Sequence, residues 1–188
     1  MDTRERLAQV IRERCILHGE FTLASGQKSK VYFDCKRVTL HPEGLHLIGT
    51  MLLDLIDRLE ANDRTPIDAI GGPTIGADPV VGHVAGRSWE RAEGGAGHPV
   101  SAFLVRKESK DHGTQRLIEN DIAEGSRVVV FEDVVTTAKS TLEAIARVEA
   151  AGLEVAAVVA LVDREQGGEQ ALKRFRYLPL FRKTEFGL

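Results

Sequence analysis

The sequence predicts an α/β fold: a doubly wound parallel sheet with a small N-terminal hood. Three observations predict it. Four short apolar runs, Ile67–Ile70, Val100–Val105, Val128–Phe131 and Val155–Val162, do not alternate with polar residues. Helical or glycine-rich segments separate them, and strands that are apolar at every position need a covered sheet with helices on both faces. The stretch before Pro42 has a different rhythm and suits an accessory layer. With 188 residues the chain is long enough for one such domain and too short for two. A single domain over 1–188 is therefore expected, the hood mainly in about 1–40 plus the C-terminal segment and the core in about 41–168.

Taken in order, Leu7, Val10 and Ile11 recur at helical spacing among charged residues. A helix is expected over 3–18, ended by His18-Gly19. Phe21–Asp34 reads as two extended pieces around a turn at Ser25-Gly26, a hairpin. Pro42 suits a first helical position, and Leu45, Ile48, Leu52, Leu55, Ile56 and Leu59 make the stripe of that helix. Gly71–Val80 is a tight glycine-rich turn, residues 91–98 a surface loop, and the lone Trp89 is expected to pack on a helix.

Composition narrows the function. A net charge of −3, from 25 basic and 28 acidic residues, excludes a broad nucleic-acid footprint, so any phosphate site must be local. Cys15 and Cys35 show neither metal-ligand spacing nor a disulfide framework. They read as inert thiols of a reducing, cytoplasmic compartment. The charged N-terminus is no signal peptide, and no apolar run approaches the roughly 18 residues of a membrane span. His18, His41, His46, His83 and His98 fit no motif and read as surface or packing residues.

In an open parallel sheet, ligands bind beyond the carboxyl ends of the strands. Val128–Thr141 runs from an apolar strand into Glu132-Asp133, then Val134, Val135, and the cluster Thr136, Thr137, Ala138, Lys139, Ser140. A helical pattern follows. Free N–H groups, hydroxyls and a lysine at a helix start favour an anion. An ordinary capped turn with solvated acids is the alternative. Val105–Gly113 places Arg106, Lys107, Lys110 and His112 after another strand, where positive charge suits a departing diphosphate or is simply solvated. Asp163-Arg164-Glu165 follows the last strand; Arg164 suits a carboxylate ligand, or pairs with its acidic neighbours.

These segments together resemble the orotate phosphoribosyltransferases, of the type I phosphoribosyltransferase fold. FEDVVTT resembles the ribose-phosphate motif, although glycine usually stands where Ala138 does, and glycine or a small hydroxyl residue where Lys139 does. Left-handed backbone at a non-glycine residue costs about 1–2 kcal/mol. So either this loop is less contorted or affinity is lost, and Lys139 can compensate by touching the phosphate. VRKESKDHG resembles the mobile catalytic loop, and Phe21, Leu23, Ser25, Gly26, Lys28, Ser29, Tyr32 and Phe33 resemble the hood pattern. Gly71–Val80 resembles the loop that faces the diphosphate; some orotate enzymes have lysine where Gly76 stands.

The resemblance implies the rest: Lys107, Lys110, His112 and Asp133 as catalytic residues, and a donor site of Arg106, Lys107, Lys110, His112, Glu132, Asp133 and Val134–Ser140. It also implies orotate held by Lys28, Phe33, Thr136 and Arg164. Either Tyr32 or Phe33 stacks on the pyrimidine, since alternate strand residues face opposite ways. Magnesium is expected to be held mainly through substrate oxygens. A homodimer sharing the loop is expected, with neither nucleic acid nor membrane as a partner and no fused decarboxylase. Two rivals remain: transfer to another base, and a nucleotide-binding regulator without turnover.

Overall fold

The structure, a computed structural model, describes residues 2–22, 28–107 and 117–188. Helix α1 (Thr3–Arg14) buries Leu7, Ala8, Val10 and Ile11. It stops short of the expected residue 18, because Ile16–Thr22 is strand β1, antiparallel to β2 (Lys28–Phe33). Ile16 lies opposite Phe33 and Leu17 opposite Tyr32, and these cross-strand pairs outweigh the weak helical preference of the segment. His18-Gly19 is thus inside the strand, next to a register shift before Phe21. The turn expected at Ser25-Gly26 lies outside the described residues.

Next come α2 (Lys36–Thr39) and α3 (Pro42–Asp63), the latter with Pro42 in its first turn, as its fixed φ favours. Alternating strands and helices follow: β3 (Ala69–Pro73), α4 (Asp78–Glu93), β4 (Ser101–Val105), β5 (Ile118–Glu119), β6 (Arg127–Val135), α5 (Lys139–Ala150), β7 (Glu154–Asp163), α6 (Gly168–Ala171) and β8 (Tyr177–Arg182). A 3-10 turn over Lys183–Phe186 ends the chain. The large sheet has the order β5-β4-β3-β6-β7-β8, and only the short β5 runs antiparallel to its neighbour. α4 continues to Glu93, into the expected loop, and Trp89 stands exposed on it rather than packed. His98 bonds Glu60 at 2.7 Å and His46 bonds Arg87 at 2.9 Å, both structural contacts.

The apolar runs do not alternate because both faces of the sheet are covered. Along β6, Val128 and Val130 pack with Ala144, Ile145 and Val148 of α5. Val129 and Phe131 join the opposite core, with Leu7 and Ile11 of α1, Ile48 and Leu52 of α3, and Val81 and Val84 of α4. Val128–Phe131 are therefore all buried, whichever way each points.

From β3 the chain passes to β4 on one side and returns through β6 on the other. The order reverses between β3 and β6, and their carboxyl ends border the crevice where such sheets bind ligands. Close approach there depends on glycine. A methyl group at Gly72 would run into the carbonyl oxygen of Phe131, and one at Gly71 into the Phe103 ring. Since Phe131 offers backbone rather than a movable side chain, Gly72→Ala should lower the unfolding free energy by about 2–3 kcal/mol. Urea unfolding checks this, and an unchanged midpoint would show that β3 and β6 are not held at this approach.

Candidate active site

The strand β6 extends beyond the apolar run, pairing Glu132 with Ala160, Val134 with Val162 and Val135 with Asp163. Glu132 and Asp133 are therefore part of the strand and not of a turn after Phe131, because β7 continues to offer backbone partners. Glu132 is 6% exposed, and its Oε2 accepts from Ser140 Oγ at 3.2 Å and Thr141 Oγ1 at 3.0 Å. Burial above all, and then the charge of Asp133, push its carboxyl up to about 7; the two hydroxyls and Lys107 oppose this. Burial also raises Asp133, against the Val134 N–H that it accepts at 2.9 Å and the nearby Lys36. A Cβ at Gly76 would stand 2.5 Å from the Asp133 carboxylate. Thus the turn after β3 lies directly on the acid pair, and no lysine fits at position 76 without displacing it.

After Val135 the chain turns sharply. Ala138 adopts φ 62° and ψ 17°, the left-handed region, as the residue capping α5. Of the two alternatives for this loop, the contorted backbone is the one present, at a cost of about 1–2 kcal/mol for a residue with a Cβ. α5 opens with Lys139 and has no acidic residue in its first turn. Its leading N–H groups and helix dipole favour an anion at this end.

A cavity of about 750 Å³ lies against this turn. Asp133, Val134 and the run Thr136, Thr137, Ala138, Lys139 and Ser140 form one wall. Thr22, Tyr32 and Phe33 of the hood form another, and Cys35, Lys36 and Arg164 complete it. Phe33 is 5% exposed and sits in the hood core, its ring 6.3 Å from that of Phe186; Tyr32 is more open and lies against Phe21 at 5.4 Å.

Arg164 is 8% exposed, with its guanidinium carbon 6.0 Å from the centre of the Phe33 ring. Its backbone N–H donates to Val135 O, which fixes its place beside the turn. Neither acidic neighbour pairs with it. Asp163 accepts the Glu165 N–H at 2.7 Å, and Glu165 accepts from Thr184 N and Oγ1 at 2.8 and 3.1 Å. The buried Arg164 Nε has no hydrogen-bond partner among the described residues.

Several expected residues stand outside the cavity wall. Lys28 opens β2, exposed, opposite the lining residue Thr22. Glu132 and Val135 lie behind the wall, as the supports of Ser140, Thr141 and Arg164. Arg106 and Lys107 form the stem of the basic loop: Arg106 N–H donates to Leu117 O at 2.8 Å, and Arg106 Nη1 meets Glu119 at 3.1 Å. Lys110 and His112 lie outside the described residues. Thr22 and Cys35 line the cavity without having been read as site residues, and two charged residues were missed as well. Lys36 lines the cavity; burial pulls its ammonium down, but Asp34 and Asp133 outweigh this and raise it. Arg147 of α5 donates to the carbonyls of Arg106 at 2.8 Å and Lys107 at 3.0 Å. Only the continuation of the hood into Asp34-Cys35-Lys36 signalled the first; nothing local signalled the second.

No family model matches the chain. It is 39% identical over 184 residues to an orotate phosphoribosyltransferase from Rhodopirellula baltica, covering 97% of this chain and 93% of that one. Among solved structures it is similar to Mycobacterium tuberculosis orotate phosphoribosyltransferase in complex with Fe(III) dicitrate, with TM-score 0.81 and 37% identity over 100% of both chains. It is also similar to the same enzyme in complex with 5-phospho-α-D-ribosyl 1-diphosphate, with TM-score 0.77 and 33% identity over 100% of both chains. With relatives of this identity over nearly its whole length, and with the acid pair, the phosphate-type turn and the buried arginine around one cavity, the chain belongs to the orotate phosphoribosyltransferase family.

Proposed function

We propose that this chain transfers the phosphoribosyl group of 5-phosphoribosyl 1-diphosphate to orotate, giving orotidine 5′-monophosphate and diphosphate. The single observation that carries the choice of base is Arg164. A guanidinium buried without a carboxylate partner is costly, and a ligand carboxylate entering the cavity relieves that cost with bidentate hydrogen bonds. Uracil and adenine lack that group.

The remaining roles follow from position. Thr136, Thr137, Ala138, Lys139 and Ser140, at the start of α5, bind the 5′-phosphate with backbone N–H groups, hydroxyls and one ammonium. Asp133 accepts from the ribose hydroxyls at the cavity wall. Glu132 contributes from behind it, holding Ser140 and Thr141 in place. Phe33 and Thr136 border the pyrimidine, with Tyr32 as the more open ring of the hood. Orotate N1 attacks C1′ as the bond from C1′ to the diphosphate oxygen breaks, with oxocarbenium character, and the proton of N1 is released to the departing diphosphate or to water. Arg106, Lys107, Lys110 and His112 neutralise the departing diphosphate when the loop excludes water. Lys28 adds positive charge at the hood edge.

Among the described residues, no group of three or more His, Cys, Asp or Glu is arranged to hold a metal. The hard oxygens of Asp133 at the cavity wall nonetheless suit magnesium carried in by the donor, held mainly through substrate and water. Such an ion supplies charge neutralisation at the diphosphate. A homodimer in which the basic loop serves the neighbouring cavity is part of this reading. A cytoplasmic location is part of this reading; no helix among the described residues is long and apolar enough to cross a membrane.

Orotate absorbance should fall when the chain is supplied with donor and magnesium, and should not fall in parallel reactions with uracil or adenine. Silence with every base, together with donor binding in calorimetry, would identify a nucleotide-binding regulator instead. Arg164→Ala should raise the KM for orotate by at least tenfold while leaving donor KM within about threefold, since a charge-assisted bond contributes roughly 1.5–3 kcal/mol. Equal loss for both substrates would remove Arg164 from base recognition.

The acid pair predicts a pH dependence. Glu132 moves from an ordinary 4.5 to about 7 on folding, so the folded chain holds the extra proton between those values. Stability of the ligand-free chain should then fall as pH rises through that window, by roughly 1–3 kcal/mol. Urea unfolding of Glu132→Gln should be flatter over the same range and more stable than the parent at pH above about 7. Parallel profiles for the two chains would place the proton elsewhere.

A further inference from the structure

Cys15 and Cys35 belong to no motif, and the proposed transfer uses neither. The fold nevertheless brings their sulfurs to 3.4 Å. Cys15 ends α1 and Cys35 precedes α2, so the pair spans the open end of the β1–β2 hairpin. The Asp34 N–H donates to Cys15 O at 2.9 Å, and Ile16 pairs with Phe33 in the next step of the ladder. Both residues are almost fully buried, yet Cys35 forms part of the cavity wall. Inert thiols was the expectation from sequence; the fold adds that the two are neighbours.

The geometry points to a modification site: Cys15 and Cys35 are an oxidisable dithiol, converted to an intramolecular disulfide by hydrogen peroxide that enters through the cavity. The sulfur of deprotonated Cys35 attacks one peroxide oxygen. The O–O bond breaks, the departing hydroxide takes up a proton and leaves as water, and Cys35 becomes a sulfenic acid. The sulfur of Cys15 then attacks that of Cys35. The S–O bond breaks, and the hydroxyl leaves as a second water with the Cys15 proton. Two thiols lose two hydrogens, and one peroxide becomes two waters.

Local structure suits the bond. A disulfide needs sulfurs about 2.05 Å apart, so the pair must close by somewhat more than about 1 Å. The hairpin ladder already holds the two backbones side by side, and no helix has to unwind. The contact with Cys15 and burial raise the Cys35 thiol well above its ordinary value, so the attacking thiolate is scarce and the reaction is slow beside that of an exposed thiol. Cys35 shares one short segment with Phe33 and Lys36. Drawing it toward Cys15 moves both at the cavity wall.

The test uses the intact chain under native conditions with hydrogen peroxide, read by mass spectrometry. The wild-type chain should become lighter by two hydrogens and regain them with dithiothreitol. Cys15→Ala should instead gain one oxygen, trapped by dimedone at Cys35. The oxidised wild-type chain should also unfold at a higher urea concentration than the reduced one, because the bridge restrains the unfolded chain. A native chain whose mass stays constant, while the urea-unfolded chain oxidises, overturns the proposal. So does a lower urea midpoint on oxidation, which would mean that the native geometry opposes the bond. None of these readouts depends on whether orotate is the base.

Discussion

Two carboxylates side by side at the end of a buried strand are the constraint on which the rest of the site depends. Glu132 and Asp133 are desolvated, and the charge of Asp133 further raises Glu132. An apolar interior does not tolerate this without compensation. The fold compensates from three directions. Ser140 and Thr141 of α5 donate to Glu132, the backbone N–H of Val134 satisfies one oxygen of Asp133, and Gly76 leaves the space that Asp133 occupies. β6, α5 and the turn after β3 are thereby tied to one another through the acids. Toward the cavity the charge of Asp133 is offset only by the nearby Lys36, and that is where a ligand rich in hydroxyls, accompanied by a cation, gains most.

α5 carries this constraint to the far side of the molecule. Its twelve residues extend about 18 Å. Its first turn holds the phosphate-type loop; Arg147 in its last turn clamps the carbonyls of Arg106 and Lys107, where the basic loop begins. Ala144, Ile145 and Val148 press the helix onto β6 between these ends. The anion site and the loop stem are therefore fixed to a single packed element. The left-handed Ala138 fits the same account: the strain is local, and packing along the whole helix holds the residue where its own preference does not.

Much of this was legible in the chain, for identifiable reasons. Continuous apolar runs report burial on both faces, so the core strands were readable, whereas the true ends of β3, which takes in Gly71–Pro73 of the expected turn, and of β6 were not. Glu132 and Asp133 end the apolar run in sequence, and the partners offered by β7 carry the ladder on through them to Val135. The helix of residues 3–14 was readable from Leu7, Val10 and Ile11, but Ile16 and Leu17 continue that pattern by chance while Phe33 and Tyr32 claim them. The same limit governs the site. Arg164 and the threonine run announce themselves because polar residues after a buried strand are unusual. Arg147, Lys36 and the meeting of Cys15 with Cys35 depend on contacts between residues far apart in sequence, for which local pattern holds no signal.

In the proposed function, base selection rests on the arrangement around Arg164. An exposed arginine would pair with Asp163 or Glu165 and discriminate poorly, since water competes for every bond. Here each acid is held elsewhere, Asp163 by the backbone of Glu165 and Glu165 by Thr184 in the C-terminal turn. The C-terminal segment thus acts on the cavity without lining it: by holding Glu165, it keeps that carboxylate away from the guanidinium. The Phe33 ring stands near the guanidinium and narrows its access to water. A buried donor left without a partner penalises any base lacking a carboxylate more than it rewards the right one, and discrimination of this kind is stronger than that from apolar shape alone.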